Sequence, residues 1–131
     1  KYRDFPMPIT PPEQRRDLVK WIRDRAKSKY KKGTECEICG ETENLDFHHF
    51  YSMTPLLNKW MAKNNPEPKY VQVWRDDFIE EHKKEIYEET VTLCRMHHQK
   101  LHSIYGKHPT LGTAKKQQRW VKIQRDKNGM V

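Results

Sequence analysis

The sequence predicts an α+β protein: two short strands and a helix in a small stapled core, a long helical insertion, and basic flanking helices. Three observations predict it. Only 34% of the 131 residues are hydrophobic while 34% are charged, so one modest core needs a cross-link to hold it. Cysteines and histidines recur in two short hooks, Cys36-Glu-Ile-Cys39 and Cys94-Arg-Met-His97, a ligand pattern that suits tetrahedral zinc. Finally, brief alternating stretches at 45–49 and 91–93 stand among segments of helical periodicity.

In chain order, residues 1–9 contain Pro6 and Pro8 and read as an extended lead-in. Thr10-Pro-Pro-Glu13 forms a capping box with prolines in the first turn. Leu18, Val19, Ile22 and Ala26 then recur at helical spacing, Gly33 is read as the stop, and Arg15, Arg16, Lys20, Arg23, Lys27, Lys31 and Lys32 leave much of the helix surface basic, open to DNA contact or to solvation alone. Leu45–His49 reads as a strand with Leu45 and Phe47 on one face, Asp46 and His48 on the other. Residues 50–90 form the insertion. In it, Thr54-Pro55 caps a helix to about Ala62 with Leu57, Trp60 and Met61 as its apolar stripe, and Asn64-Asn-Pro-Glu-Pro68 breaks it. Tyr70–Trp74 reads as a strand. Asp76–Glu89 reads as a polar helix with core contacts through Phe78, Ile79 and Ile86, and His82 as a surface residue. Val91-Thr-Leu93 is the second core strand. Arg95–Tyr105 is a helix stopped by Gly106, with Leu101 and Ile104 inward. His108-Pro109 belongs to a turn and His108 receives no role. Residues 113–126 form the last helix, with Trp120 and Val121 inward. The expectation is a single domain, residues 1–131, with 1–34 as the basic N-terminal part, 35–105 as the core and 106–131 as the basic C-terminal part.

Charge is unevenly spread. The net charge is +8. Residues 1–34 hold 11 Lys/Arg against 4 Asp/Glu, a balance of +7, and residues 106–131 hold 7 against 1, or +6. Residues 35–105 hold 8 against 13, or −5. Basic arms around a metal-rich centre suit a polyanion, with DNA expected and RNA also open. Lys115, Lys116, Arg119 and Lys122 on the last helix, and Arg95 and Lys100 near the metal-rich segment, are the candidate phosphate contacts. No apolar run approaches the length of a membrane span. Three cysteines, two of them in C-x-x-C, with no signal peptide in view, point to metal ligation in a reducing, cytoplasmic compartment rather than to disulfides.

Cys36, Cys39 and Cys94 supply three ligands of a structural zinc site, and His97 is read as the fourth. His98 could replace it, at the expense of the i,i+4 pair that His98 makes with His102. The hooks are separated by 54 residues, too far for a DNA-reading zinc finger, so this zinc would close a domain. His48 and His49, adjacent on a strand, point to opposite sides, so one can bind a metal while the other faces substrate. His98 and His102 add two nitrogens from one helix face. Three histidines leave coordination positions open, as a catalytic site requires.

Taken together, Cys36-x-x-Cys39, Leu45-Asp-Phe-His-His49, Leu93-Cys-x-x-His-His98 and His102 resemble the HNH (ββα-metal, His-Me finger) endonuclease family with a zinc ribbon. The pair His98-x-x-x-His102 is similar to that of colicin-type DNases. The likeness covers residues 36–49 and 91–102. It implies that His48, His98 and His102 hold a catalytic divalent metal and that His49 is the general base. It further implies phosphodiester hydrolysis at one metal: water activated by His49 attacks in line, charge on the non-bridging and 3′-leaving oxygens is neutralised at the metal, and 5′-phosphate and 3′-hydroxyl ends result. Three positions depart from the usual pattern. His48 stands where many members carry Asp, His98 where many carry Asn, and His97 where the second hook often ends in Cys. An imidazole-rich site favours Zn²⁺, Ni²⁺ or Mn²⁺ more than an Asp/Asn site would, with Mg²⁺ as the fourth candidate. Compact proteins of this kind resemble those of phages and mobile elements. The competing reading is a zinc-stabilised nucleic-acid-binding protein or regulator without catalysis. A homodimer or a further protein partner is compatible with either. A zinc deaminase would need H-x-E and P-C-x-x-C, and neither occurs.

Overall fold

The computed structural model describes residues 18–129. The expected lead-in, the Thr10–Glu13 capping box, Arg15 and Arg16 lie outside them. Helices α1 (Leu18–Ala26), α2 (Met53–Asn64), α3 (Val71–Glu81), α4 (Arg95–Tyr105) and α5 (Ala114–Lys127) surround strands β1 (Leu45–His49) and β2 (Thr90–Cys94). The strands pair antiparallel, with Leu45 opposite Cys94 and His49 opposite Thr90. Mixed helix and a two-stranded sheet is the α+β class expected.

Two apolar cores form among the described residues. One joins α1 to the insertion through Ile22, Leu57, Trp60, Val71, Trp74, Phe78 and Ile86. The other lies between the cysteine hook, β2, α4 and α5, through Ile38, Phe50, Leu93, Leu101, Ala114 and Val121. A bidentate contact from Arg25 to Asp76, at 2.9 and 3.3 Å, also ties α1 to α3.

Several boundaries differ from the sequence reading. The first helix does not run to Gly33: α1 ends at Ala26, a 3₁₀ turn covers Lys27–Lys29, and Tyr30 turns to extended backbone. That lets Tyr30 stack on Phe47 of β1 with ring centroids 4.6 Å apart. The next helix starts at Met53, with Ser52 rather than Thr54 at its N-cap position, and adds Met53 and Leu56 to its buried stripe. It ends where Asn65 adopts a left-handed conformation. Tyr70–Trp74 is not a strand. Pro68–Tyr70 opens a 3₁₀ turn into α3, which buries Val71, Trp74 and Phe78 at i, i+3 and i+7. The polar helix expected to Glu89 stops at Glu81, and a π-helical turn follows over Lys84–Glu88. His82 is not a surface residue, as its side chain is only 19% exposed and packs 4.9 Å from the Phe78 ring. Ile104 faces solvent at 53% exposure, because Leu101 and the histidines already occupy the inward side of α4.

Candidate active site and metal centres

The Cys36–Cys39 hook closes as a tight turn. Gly40 N–H donates to the Cys36 carbonyl at 2.9 Å, and Gly40 takes φ 79°, a conformation that favours glycine. The pairing of Leu45 with Cys94 brings the second hook alongside. One donor atom each from Cys36, Cys39, Cys94 and His97 falls within 4.8 Å of the others. The Cys39 and Cys94 sulfurs are 3.8 Å apart; tetrahedral zinc with bonds of about 2.3 Å separates two sulfurs by about 3.8 Å. His97 Nδ1 stands 3.2 Å from the Cys94 sulfur and 3.9 Å from that of Cys36. Burial raises the Cys36 thiol pKa, but backbone contacts from Cys94, Cys39 and Ile38 outweigh it and leave the group below its ordinary value. The donors fit zinc. Of the two histidines open for the fourth place, His97 lies beside the sulfurs and His98 turns away into a second cluster.

That second cluster is His48, His98 and His102, again with one donor atom each within 4.8 Å. Strand alternation sends His48 toward α4, and the one-turn spacing on α4 stacks His98 beside His102. Each outward nitrogen has an acceptor. His48 Nε2–H donates to Gln117 Oε1 at 2.8 Å, His98 Nδ1–H to Asp46 Oδ2 at 3.1 Å, and His102 Nδ1–H to the Gly106 carbonyl at 2.7 Å. A neutral imidazole that donates from one nitrogen presents a lone pair at the other. The remaining nitrogens therefore converge as lone pairs: His48 Nδ1 is 3.2 Å and His102 Nε2 is 3.0 Å from His98 Nε2. Burial pushes the His48 pKa down to about 3, and burial lowers that of His98 despite Asp46. Neutral rings with converging lone pairs and tethered far nitrogens fit a divalent cation.

His49 takes the opposite side of β1, edge-on to Tyr30 at 5.0 Å and to Phe47 at 5.2 Å. Burial lowers its pKa to about 4, partly opposed by a hydrogen bond with the Ile86 backbone. Nε2 is buried and has no partner among the described residues, and Ile86 belongs to the π-helical turn. Turns of that type recur at functional sites. His49 thus keeps a buried, unpartnered nitrogen at Nε2 on the side of β1 opposite His48.

All four histidines line one cleft of about 250 Å³, shared with Arg23 of α1 and with Lys107 and His108 beyond α4. His108, to which the sequence reading gave no role, lines the cleft, Arg23 is one of the basic residues left open to DNA contact, and Lys107 was missed. Lys115, Lys116, Arg119 and Lys122 are exposed on α5 as expected. Lys100 is exposed on α4 outside the cleft lining, and Arg95 lines a separate recess with Cys39, Glu41 and Glu43. Gln117 was also missed. Its signal was a polar residue on the stripe Ala114, Gln117, Val121, all buried. Asp46 could have been found by alternation, since it shares a strand face with His48.

The family model that matches this chain, over residues 9–130, is that of the phage T5 nicking endonucleases. The chain belongs to the nicking endonuclease family. Membership makes it a nuclease with DNA as substrate, and it disfavours the non-catalytic alternative. The phage family agrees with the mobile-element source that the sequence suggested. No solved structure matches the chain. Among the described residues of this nicking endonuclease family member, no helix is long and apolar enough to cross a membrane.

Proposed function

We propose that this nuclease is a metal-dependent enzyme of the HNH type that cuts one strand of duplex DNA. The observation that supports it best is the set of three imidazole lone pairs converging in the same cleft as a histidine with a free Nε2. Cys36, Cys39, Cys94 and His97 would hold a structural zinc that staples the core. His48, His98 and His102 would hold the catalytic divalent ion. When bound, that ion supplies Lewis-acid stabilisation of the charge that builds on the phosphate. His49 takes the proton of the attacking water at its unpartnered Nε2. Arg23 and Lys107 bind the phosphates beside the scissile one. Lys115, Lys116, Arg119 and Lys122 hold the duplex further along α5. One such histidine cleft among the described residues supports a single cut per binding event, leaving 5′-phosphate and 3′-hydroxyl ends.

The test is incubation with supercoiled plasmid across Mg²⁺, Mn²⁺, Ni²⁺ and Zn²⁺. Open circles should appear before linear DNA. His49→Ala should slow nicking by roughly 10²–10⁴-fold with DNA affinity retained. His48→Ala should instead be partly rescued by excess metal. Wild-type rates from both variants would refute the assignment, and rescue of His49→Ala alone would reverse the two roles.

A further inference from the structure

Gln117 is fully buried on α5, a helix otherwise distinguished by its exposed basic residues. Its amide is not free to flip. The Nε2 group donates to the Phe50 carbonyl at 3.3 Å and to Thr113 Oγ1 at 3.0 Å. Thr113 Oγ1 already donates its own proton to the Thr110 carbonyl at 2.8 Å, so it must accept from Gln117. Both amide donors are thereby assigned, and Oε1 must face His48 Nε2, 2.8 Å away. An amide oxygen can only accept, so Nε2 of His48 holds the proton.

We propose that Gln117 is a positioning residue that fixes the ring angle and tautomer of His48 and so makes Nδ1 its metal-binding atom. The proposal rests on the reading of His48, His98 and His102 as the catalytic metal site. His48 is the one member of that cluster supplied by the sheet. The other two are set by the helix that bears them and take their acceptors from Asp46 and from Gly106 at the end of that helix. Gln117 reaches His48 across 69 positions of sequence. The polar anchor of a strand ligand is thus carried by the same helix whose outer face presents Lys115, Lys116 and Arg119. Loss of such an acceptor behind a metal-bound imidazole costs about 10–100-fold in metal affinity.

Two measurements test this on the zinc-loaded protein. The first is nitrogen-resolved NMR of the wild type without added second metal. A slowly exchanging proton on His48 Nε2 is expected, and a proton on Nδ1 would overturn the proposal. The second is Ni²⁺ or Mn²⁺ titration of Gln117→Met and Gln117→Glu. Gln117→Met removes the acceptor at similar size and should lose the protected Nε2 proton and about 10–100-fold in affinity. Gln117→Glu keeps an oxygen toward Nε2 and should recover most of that loss. A folded Gln117→Met with wild-type affinity, or equal losses in both variants, would reduce Gln117 to a packing residue. If Gln117→Met does not fold, the wild-type proton signal decides. Absence of any second-metal binding by the wild type would mark failure of the metal-site reading, and of the proposal with it.

Discussion

His98 sits between two demands: its Nε2 faces the other imidazoles while its Nδ1–H is held by the Asp46 carboxylate. The carboxylate raises the ring's basicity and fixes its angle, and burial counteracts the charge. Asp46→Ala should therefore weaken second-metal binding by about 10–100-fold. The Asp46 side chain is 29% exposed, so the fold should survive the change. Titration calorimetry on the zinc-loaded variant is the check, with cleavage recovering as metal is added; an unchanged affinity would remove Asp46 from the site. At this scale the histidines were legible because their spacing is local. His98 and His102 are one turn apart, and His48 and His49 alternate on a strand. Gln117 was not legible, and Arg23 only as one basic residue among several, since both reach the site through tertiary packing from α5 and α1.

Among the elements, α4 has the densest assignment. Its first two turns supply His97 to the cysteine cluster and His98 and His102 to the histidine cluster. Cys94→Ser, at its N-cap position, should release zinc and unfold the chain, because ligation and folding of a small core are coupled. His98→Ala should keep zinc and its circular dichroism but lose the second metal. Elemental analysis beside dichroism distinguishes the two, and equal unfolding by both would mean that the clusters act as one site. The limits of β1 and α4 were legible because period-2 alternation and a terminal glycine both mark them. The stretch from Tyr70 to Trp74 misled because Val71, Val73 and alternating polarity imitate a strand over five residues. Its helical partner Phe78 lies beyond that window, and only the packing against α1 resolves the period. The early stop of α1 has the same origin: Tyr30 leaves the helix to stack on Phe47, a contact outside local propensity.

At the scale of the molecule, two apolar cores each adjoin one side of the site. The core of α1 and the insertion brings Arg23 to the cleft, and the core of β2, α4 and α5 holds both ligand clusters. Positive charge is carried on both, by the exposed basic residues of α5 on one core and by basic α1, which packs with the insertion, on the other. Neutralising Lys115, Lys116, Arg119 and Lys122 together should weaken DNA binding. For every phosphate that is no longer neutralised, the slope of log K against log salt should fall by about 0.9. An unchanged slope would make that helix face a solvated flank. Class and clusters were legible from composition and hooks, whereas the division into two cores was not, because it depends on how the insertion folds back on α1.

The adjacency of His97 and His98 also constrains how this gene can change length. Each residue advances an α-helix by about 100°. One codon inserted between these two would swing His98 and His102 away from His48 while leaving the cysteine hook in register. A substitution here would cost one cluster a single donor, whereas an insertion would displace two donors of the histidine cluster at once. Slack is available elsewhere, at the Asn65–Glu67 break between α2 and α3, where the backbone already leaves the helix and no ligand lies downstream before β2. Related chains that differ in size would accordingly absorb the difference in the insertion and keep the spacing of Cys94, His97, His98 and His102 fixed.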